Sequence, residues 1–196
     1  MRRLCVLTVT GVLLWSSSLA QARQSQNGGP LQYRVLATSR TSTMERELNA
    51  AADLGFRFYS VMGGETAIGG QEVAIIMGRV EGAKPRYQYK LLATSRTSTM
   101  QRELQEAADG GFQYIGQTVF ESSFGGQEVV CILQRDKLDS KANRFQYRLF
   151  ATTRTSTMER ELSVAGHEGF EVLGMTIGKT AIGGKELVTI TRRETR

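Results

Sequence analysis

From residue 31 onward the chain alternates apolar and polar positions for the length of a strand, changes to a helical rhythm, and then returns to strand-like runs, three times over. In Gln32 to Thr38, Tyr33, Val35 and Ala37 fall on one side and Arg34 and Thr38 on the other; Tyr89, Leu91, Ala93 and Tyr147, Leu149, Ala151 hold the same places later. A period of two over this length predicts a strand with one apolar face. Met44, Leu48, Ala51 and Ala52 follow at helical spacing, as do Met100, Leu104, Ala107, Ala108 and Met158, Leu162, Ala165, Gly166. So narrow a stripe lets a helix sit close against a sheet. Ser42 stands three residues before Glu45, Ser98 before Gln101 and Ser156 before Glu159, which is the spacing of a capping box. Gly55, Gly111 and Gly169 come where a left-handed residue closes a helix. Helices are therefore predicted near 43–54, 99–110 and 157–168.

Phe56 to Met62, Phe112 to Val119 and Phe170 to Ile177 read as second strands, and Glu72 to Arg79, Glu128 to Arg135 and Glu186 to Arg193 as third strands, joined through a Gly-Gly turn. In the first two copies the third strand is apolar on both faces: Val73, Ile75, Met77 against Ala74, Ile76, and Val129, Cys131, Leu133 against Val130, Ile132. One face should meet a helix and the other a neighbouring unit. Thr189 and Thr191 stand on one of these faces in the last copy, which predicts that the third copy is the most solvent-facing. The fold class is thus α/β (α+β), with three tandem β-α-β-β repeats, each a small sheet carrying one helix on one face, packed together. If the first strand runs up, the helix runs down and the second strand runs up, so the loop before the helix and the Gly-Gly hairpin share one end of the unit.

The copies align without insertion between Tyr33 and Arg79, Tyr89 and Arg135, and Tyr147 and Arg193, so any function is a function of the repeat. The chain divides into residues 31–80, 87–136 and 145–194, with polar linkers at Val80 to Arg86 and Asp136 to Arg144 and a loose leader at 23–30. Residues 1–22 combine a basic start (Arg2, Arg3), an apolar run from Leu4 to Trp15 and the small-x-small pattern Ala20-Gln21-Ala22. They read as a secretory signal cleaved near Ala22, which places the mature chain outside the cytoplasm, secreted or periplasmic, with no membrane span. Loss of Arg2 and Arg3 lowers the formal charge from +6 to +4 and leaves Cys131 as the single cysteine. With no internal disulfide, units of about fifty residues are marginal alone and should pack on one another. A charge of that size, with acids interleaved and no basic run, gives no nucleic-acid signal.

The strongest candidate chemistry is Arg40, Thr41, Ser42, Thr43, repeated as Arg96, Thr97, Ser98, Thr99 and Arg154, Thr155, Ser156, Thr157. A guanidinium, hydroxyls and unpaired N–H groups at a helix N-terminus suit an anion; capping by the serines accounts for the hydroxyls but not for the arginine. The Gly-Gly hairpin carries an apolar residue in each copy, Ile68, Phe124 and Ile182, which either contacts a partner or folds back over the core. No lysine follows its second glycine in the manner of a phosphate loop. His167 is the one histidine and has no partner at metal-ligand spacing, and Cys131 sits inside a strand as a small hydrophobe would. Glu47, Glu103, Glu161 and Glu72, Glu128, Glu186 recur and are expected to pair with Arg46, Arg102, Arg160 or with strand arginines.

Tyr-x-Val or Leu, then Glu-Leu, then Gly169-Phe-Glu-Val-Leu-Gly174, a Gly-bearing hairpin and a strand ending in Arg resemble a small bacterial β-α-β-β domain family of unknown function. Phe stands in all three copies where that family usually has Trp. The resemblance implies the β-α-β-β order and brings no assigned chemistry. The expectation is a binding or interaction module with no catalytic constellation, no cofactor and no metal. Its partner is expected to be a protein or an anionic envelope component, and the alternative is a small-ligand or anion receptor at the Arg-Thr-Ser-Thr segments.

Overall fold

A computed structural model of the protein describes residues 29–66, 70–94, 96–121, 127–139, 144–179 and 185–195. The signal-like segment 1–22 lies outside the described residues. Each repeat is β-α-β-β. The first holds β1 (Leu31–Thr38), α1 (Thr41–Ala52), β2 (Arg57–Thr66) and β3 (Gly70–Val80); the second holds β4 (Tyr87–Thr94), α2 (Thr97–Asp109), β5 (Gln113–Glu121) and β6 (Gln127–Asp136). The third holds β7 (Phe145–Thr152), α3 (Thr155–His167), β8 (Glu171–Lys179) and β9 (Lys185–Glu194). Each unit forms its own antiparallel sheet with the last strand in the middle, in the orders β1-β3-β2, β4-β6-β5 and β7-β9-β8. Thr38 pairs with Val73 and Thr66 with Gly70, so the start of α1 and the end of β2 emerge at one end of the sheet, as the up-down-up reading requires.

The helices begin two residues earlier than the capping-box spacing predicts, for a reason given below, and they close where the glycines predict. Gly55, Gly111 and Gly169 have φ of 84°, 81° and 84°, a backbone that L side chains enter at a cost of about 1–2 kcal/mol. The next residue, Phe56, Phe112 or Phe170, returns its N–H to Ala51, Ala107 or Ala165. Over each of these rings lies the guanidinium of Arg79, Arg135 or Arg193, at 4.6, 4.8 and 4.7 Å from the centroid. The same arginines donate to the terminal helix carbonyls of Leu54, Gly110 and Glu168 at 2.8, 3.2 and 3.1 Å, and to Gln32, Gln88 and Gln146 on the first strands. Each arginine thus ties the central strand and the first strand of a unit to its helix end.

The two cores lie between units. Met44, Leu48, Ala51 and Ala52 of α1 pack with Leu36, Ile75 and Met77 of their own sheet and also with Tyr89, Val130 and Ile132 of the second. In the same way Met100, Leu104, Ala107 and Ala108 join Cys131 and Leu133 to Tyr147 and Ile190 of the third. β6 needs two apolar faces because Cys131 and Leu133 meet its own helix α2 and Val130 and Ile132 meet α1 of the unit before. Leu48 and Leu104 are fully buried, each stabilising the fold by about 1.5–3 kcal/mol.

In β1 the residues facing the unit's own helix are those of even number, such as Leu36; Tyr33, Val35 and Ala37 face the other way, toward where a preceding unit would lie. The expectation that the third copy is most exposed at Thr189 and Thr191 is overturned. Both are buried, on the same face as Ile75 and Met77, under α3. Thr191 donates its hydroxyl to the Arg148 carbonyl at 2.9 Å. The third copy is open elsewhere, on α3, where only Met158 and Ala165 of the predicted stripe are buried, Leu162 is half-buried and Gly166 is exposed.

Candidate functional site

Arg40, Arg96 and Arg154 are the N-cap residues themselves, with extended backbones (φ −129°, −116° and −120°) and no capping bond from their side chains. The capping boxes are therefore not formed. Ser42, Ser98 and Ser156 lie inside the first turn and are exposed, with Thr41, Thr43, Thr97, Thr99, Thr155 and Thr157 beside them. The hydroxyl that organises the turn comes from the strand: Thr38, Thr94 and Thr152 accept from the N–H of the arginine two residues on, at 3.2, 3.1 and 3.3 Å. Such a turn sets the entry angle before the helix and moves its start forward. Beside it, α1 and β4 enclose a groove of about 440 Å3 lined by Thr41, Ser42, Glu45, Arg46 and Asn49. It holds one carboxylate and one guanidinium, so its charge does not single out an anion. Ile68, Phe124 and Ile182 lie outside the described residues.

Glu45 and Gln101, read as capping partners, have another task. β4 and β7 are edge strands, and every other residue of an edge points its N–H and C=O away from the sheet. The Glu45 carboxylate accepts from the Leu91 N–H at 2.9 Å, and the Asn49 amide both accepts from the Tyr89 N–H and donates to its carbonyl, each at 2.9 Å. At the second junction Gln101 holds Tyr147 O and Leu149 N–H at 2.8 and 2.7 Å, and Gln105 accepts from the Tyr147 N–H at 3.1 Å. α1 and α2 thus seal the edge of the sheet that follows each of them. The tyrosine on that edge answers by sending its ring back: the Tyr89 hydroxyl accepts from the Phe58 N–H, and the Tyr147 hydroxyl from the Tyr114 N–H, both at 2.8 Å. These N–H groups are free to be taken because β2 and β5 are bulged there, between Phe58 and Ser60 and between Tyr114 and Gly116. Burial pushes the Tyr89 phenol up to about 12 and raises those of Tyr114 and Tyr147 as well.

The cysteine is spent on structure. Cys131 is fully buried, its thiol pushed up to about 12 by that burial, with its sulfur 3.8 Å from that of Met100. His167 ends α3 in solvent. The expected pairing of Arg102 with Glu103 is not made; Arg102 meets Glu106 at 3.5 Å, one helical turn on, where the geometry favours it. Arg79, Arg135 and Arg193 reach helix carbonyls and rings, while Arg148 on β7 pairs with Glu168 at 2.7 Å. Among the described residues no three His, Cys, Asp or Glu side chains converge as a metal site, no catalytic constellation is evident, and no helix is long and apolar enough to cross a membrane.

The feature that residue patterns did not reveal is the pair of outer faces. Tyr33, Val35, Met62 and Ile76 are 62, 65, 68 and 42% exposed, whereas the matching Tyr89, Thr118 and Ile132 are 1, 9 and 0% exposed under the first unit. At the other extreme of the stack, Val172, Met175 and Ile177 on β8 are 56, 58 and 58% exposed, while the matching Phe58 and Val61 pack into the first inter-unit core. Comparison with protein-family models, curated proteins and solved structures gave no match to this chain.

Proposed function

We propose that the chain is an exported protein-binding module that works through the two outer faces of its stack and carries out no chemistry of its own. Export rests on the signal-like residues 1–22. Binding rests on one observation: Tyr33, Val35, Met62 and Ile76 at one extreme, and Val172, Met175 and Ile177 at the other, are exposed at positions that the internal junctions bury or partly cover. Clusters of large apolar side chains on a surface mark interaction sites when they are contiguous, and at the first extreme the open backbone edge of β1 adds hydrogen-bonding groups that a partner can take. The test is site-specific photo-crosslinking in the exporting cell. A photoreactive residue at Val35 or Ile177 should form covalent adducts with polypeptide, and one at the exposed linker residue Glu81 should not. Absence of any protein adduct at both faces would end the reading.

A further inference from the structure

We infer that the partner at these faces is a second copy of this chain, and that copies assemble head to tail, α3 and β8 of one seated on β1 and β2 of the next. This rests on the binding reading above and names its occupant. The argument is the continuity of a junction that the chain already makes twice. The tail of each unit is its helix and second strand; the head of the next is its first strand and the far face of its sheet. One head and one tail are left over, at opposite ends of the same chain, and they are the two faces of a single type of junction.

The unmatched residues correspond position by position. Tyr33 holds the place of Tyr89 and Tyr147, whose hydroxyls accept from Phe58 and Tyr114 N–H groups at bulges. The third unit has the same bulge, between Val172 and Gly174, which offers the Val172 N–H to a Tyr33 hydroxyl. Glu159 on α3 holds the place of Glu45, whose carboxylate takes the Leu91 N–H; the corresponding group of the next copy is the Val35 N–H on the open edge of β1. Ser163 departs from the pattern. It stands where Asn49 and Gln105 clamp an edge strand, and its hydroxyl donates instead to the Glu159 carbonyl at 2.8 Å. The junction between copies therefore has fewer polar bonds than those within the chain and should be reversible.

Side-chain sizes agree with this docking. A Cβ at Gly116 would lie 3.0 Å from the Phe58 ring, and one at Gly174 would lie 2.4 Å from the Tyr114 hydroxyl. At the outer junction the same contact sets Ser60 against Val172, so a larger residue on the head meets a smaller one on the tail. Where the first internal junction joins the Gly63 N–H to the Thr118 hydroxyl at 2.6 Å, the outer one brings Met62 to Ile177, an apolar pair that is exposed in the single chain. Such an interface is heterologous, and repeating it gives a closed ring or an open filament, according to whether the rotation per copy closes.

The experiment uses the purified full-length mature chain and two substitutions at exposed sites, Val35→Arg on the head and Ile177→Arg on the tail, with molecular mass measured by sedimentation. The parent chain should form species larger than a monomer. Each variant alone should be monomeric, because a charge in the middle of the apolar contact weakens association by about a hundredfold or more. An equimolar mixture should give a one-to-one dimer and nothing larger, since it contains one sound head and one sound tail. Tyr33→Phe, which removes a hydroxyl alone, should weaken self-association about five- to tenfold, a readout that stands even if an arginine variant misfolds. A parent chain monomeric at all concentrations, a mixture that stays monomeric, or a dimer formed by either variant alone overturns the inference. Crosslinks at Val35 to a different protein together with a monomeric parent chain would leave the binding reading standing and remove this one.

Discussion

Tyr33 and Tyr89 occupy one position in two copies of the same segment, yet the first is 62% exposed and the second 1%. Their neighbours differ as much. Tyr33 packs edge-on against Tyr59 of its own unit, with centroids 5.7 Å apart, whereas Tyr89 crosses to the Phe58 N–H of another unit. Local sequence cannot account for the difference, because the segments from Tyr to Leu are near-identical. What differs is whether a helix stands in front of the sheet. In this molecule burial belongs to the junction and not to the repeat, so the unit is an incomplete fold that is finished by its neighbour.

The largest consequence concerns the middle unit. Residues 87–136 expressed alone would lose α1 from the face bearing Tyr89, Val130 and Ile132, and would lose the third sheet from the outer side of α2. A domain this small buries too little surface to tolerate both losses. The fragment should be unfolded or self-associated, with no cooperative melting transition as a monomer by circular dichroism and sedimentation. A sharp transition in a monomeric fragment would instead make the units independent, and the contrast between Tyr33 and Tyr89 would then be one of surface decoration.

A finer cut through the same comparison removes one hydroxyl at a time. Tyr89→Phe leaves the Phe58 N–H without its partner at a covered junction, which should cost about 1–3 kcal/mol in denaturant unfolding. Tyr33→Phe, made in the monomeric Ile177→Arg background, should leave the midpoint unchanged. Alkali offers an independent check. Burial raises the Tyr89 phenol in the folded chain to about 12, above the value of about 10 for a free tyrosine, so the folded state holds the proton more tightly than the unfolded state does. That contribution is complete below pH of about 10 and is lost as pH rises toward the folded value. Stability should therefore fall between these limits, and the slope should be shallower in Tyr89→Phe than in the parent chain. Equal slopes in Tyr89→Phe and the parent chain would mean that Tyr89 does not titrate as a buried group.

The parts of this architecture that can be read along the chain are those decided within a dozen residues. Strand alternation, the Met44 to Ala52 stripe and the closing glycines depend on backbone geometry and on the period of the apolar positions, and they lead to the right elements in the right order. Residues whose partners lie about forty positions away are read less well. Glu45 fits a capping box by spacing, but its carboxylate is held by the Leu91 N–H of the following unit. Asn49 looks like an ordinary surface residue until an edge strand is laid beside it. Thr189 and Thr191 suggest solvent by polarity, although α3 covers them. The recurring Arg79, Arg135 and Arg193 suggest ion pairs, yet a nearby aromatic ring and a helix end offer a better combination of stacking and carbonyl acceptors. As for the candidate site, polarity points toward the Arg-Thr-Ser-Thr segments, while the outer faces stay hidden, since Tyr33 and Val35 read as core in every copy.

The smallest expected effect lies at the helix starts, where the three units do not differ. Ser42, Ser98 and Ser156 each sit in the first helical turn without serving as the cap, and each is exposed. Alanine has a higher helix propensity than serine, so Ser98→Ala should change unfolding free energy by no more than about 0.5 kcal/mol, and Ser42→Ala and Ser156→Ala should match it. Thr94→Val should cost more than Ser98→Ala, because its hydroxyl holds the Arg96 N–H at 3.1 Å. Denaturant midpoints for the serine and threonine variants would decide the point. A serine effect of about 1 kcal/mol or more, at the level of a true N-cap, would restore the capping box. A serine effect confined to one unit would mean that stacking reaches even the helix starts, and that the division between repeat-encoded and junction-encoded features has been drawn in the wrong place.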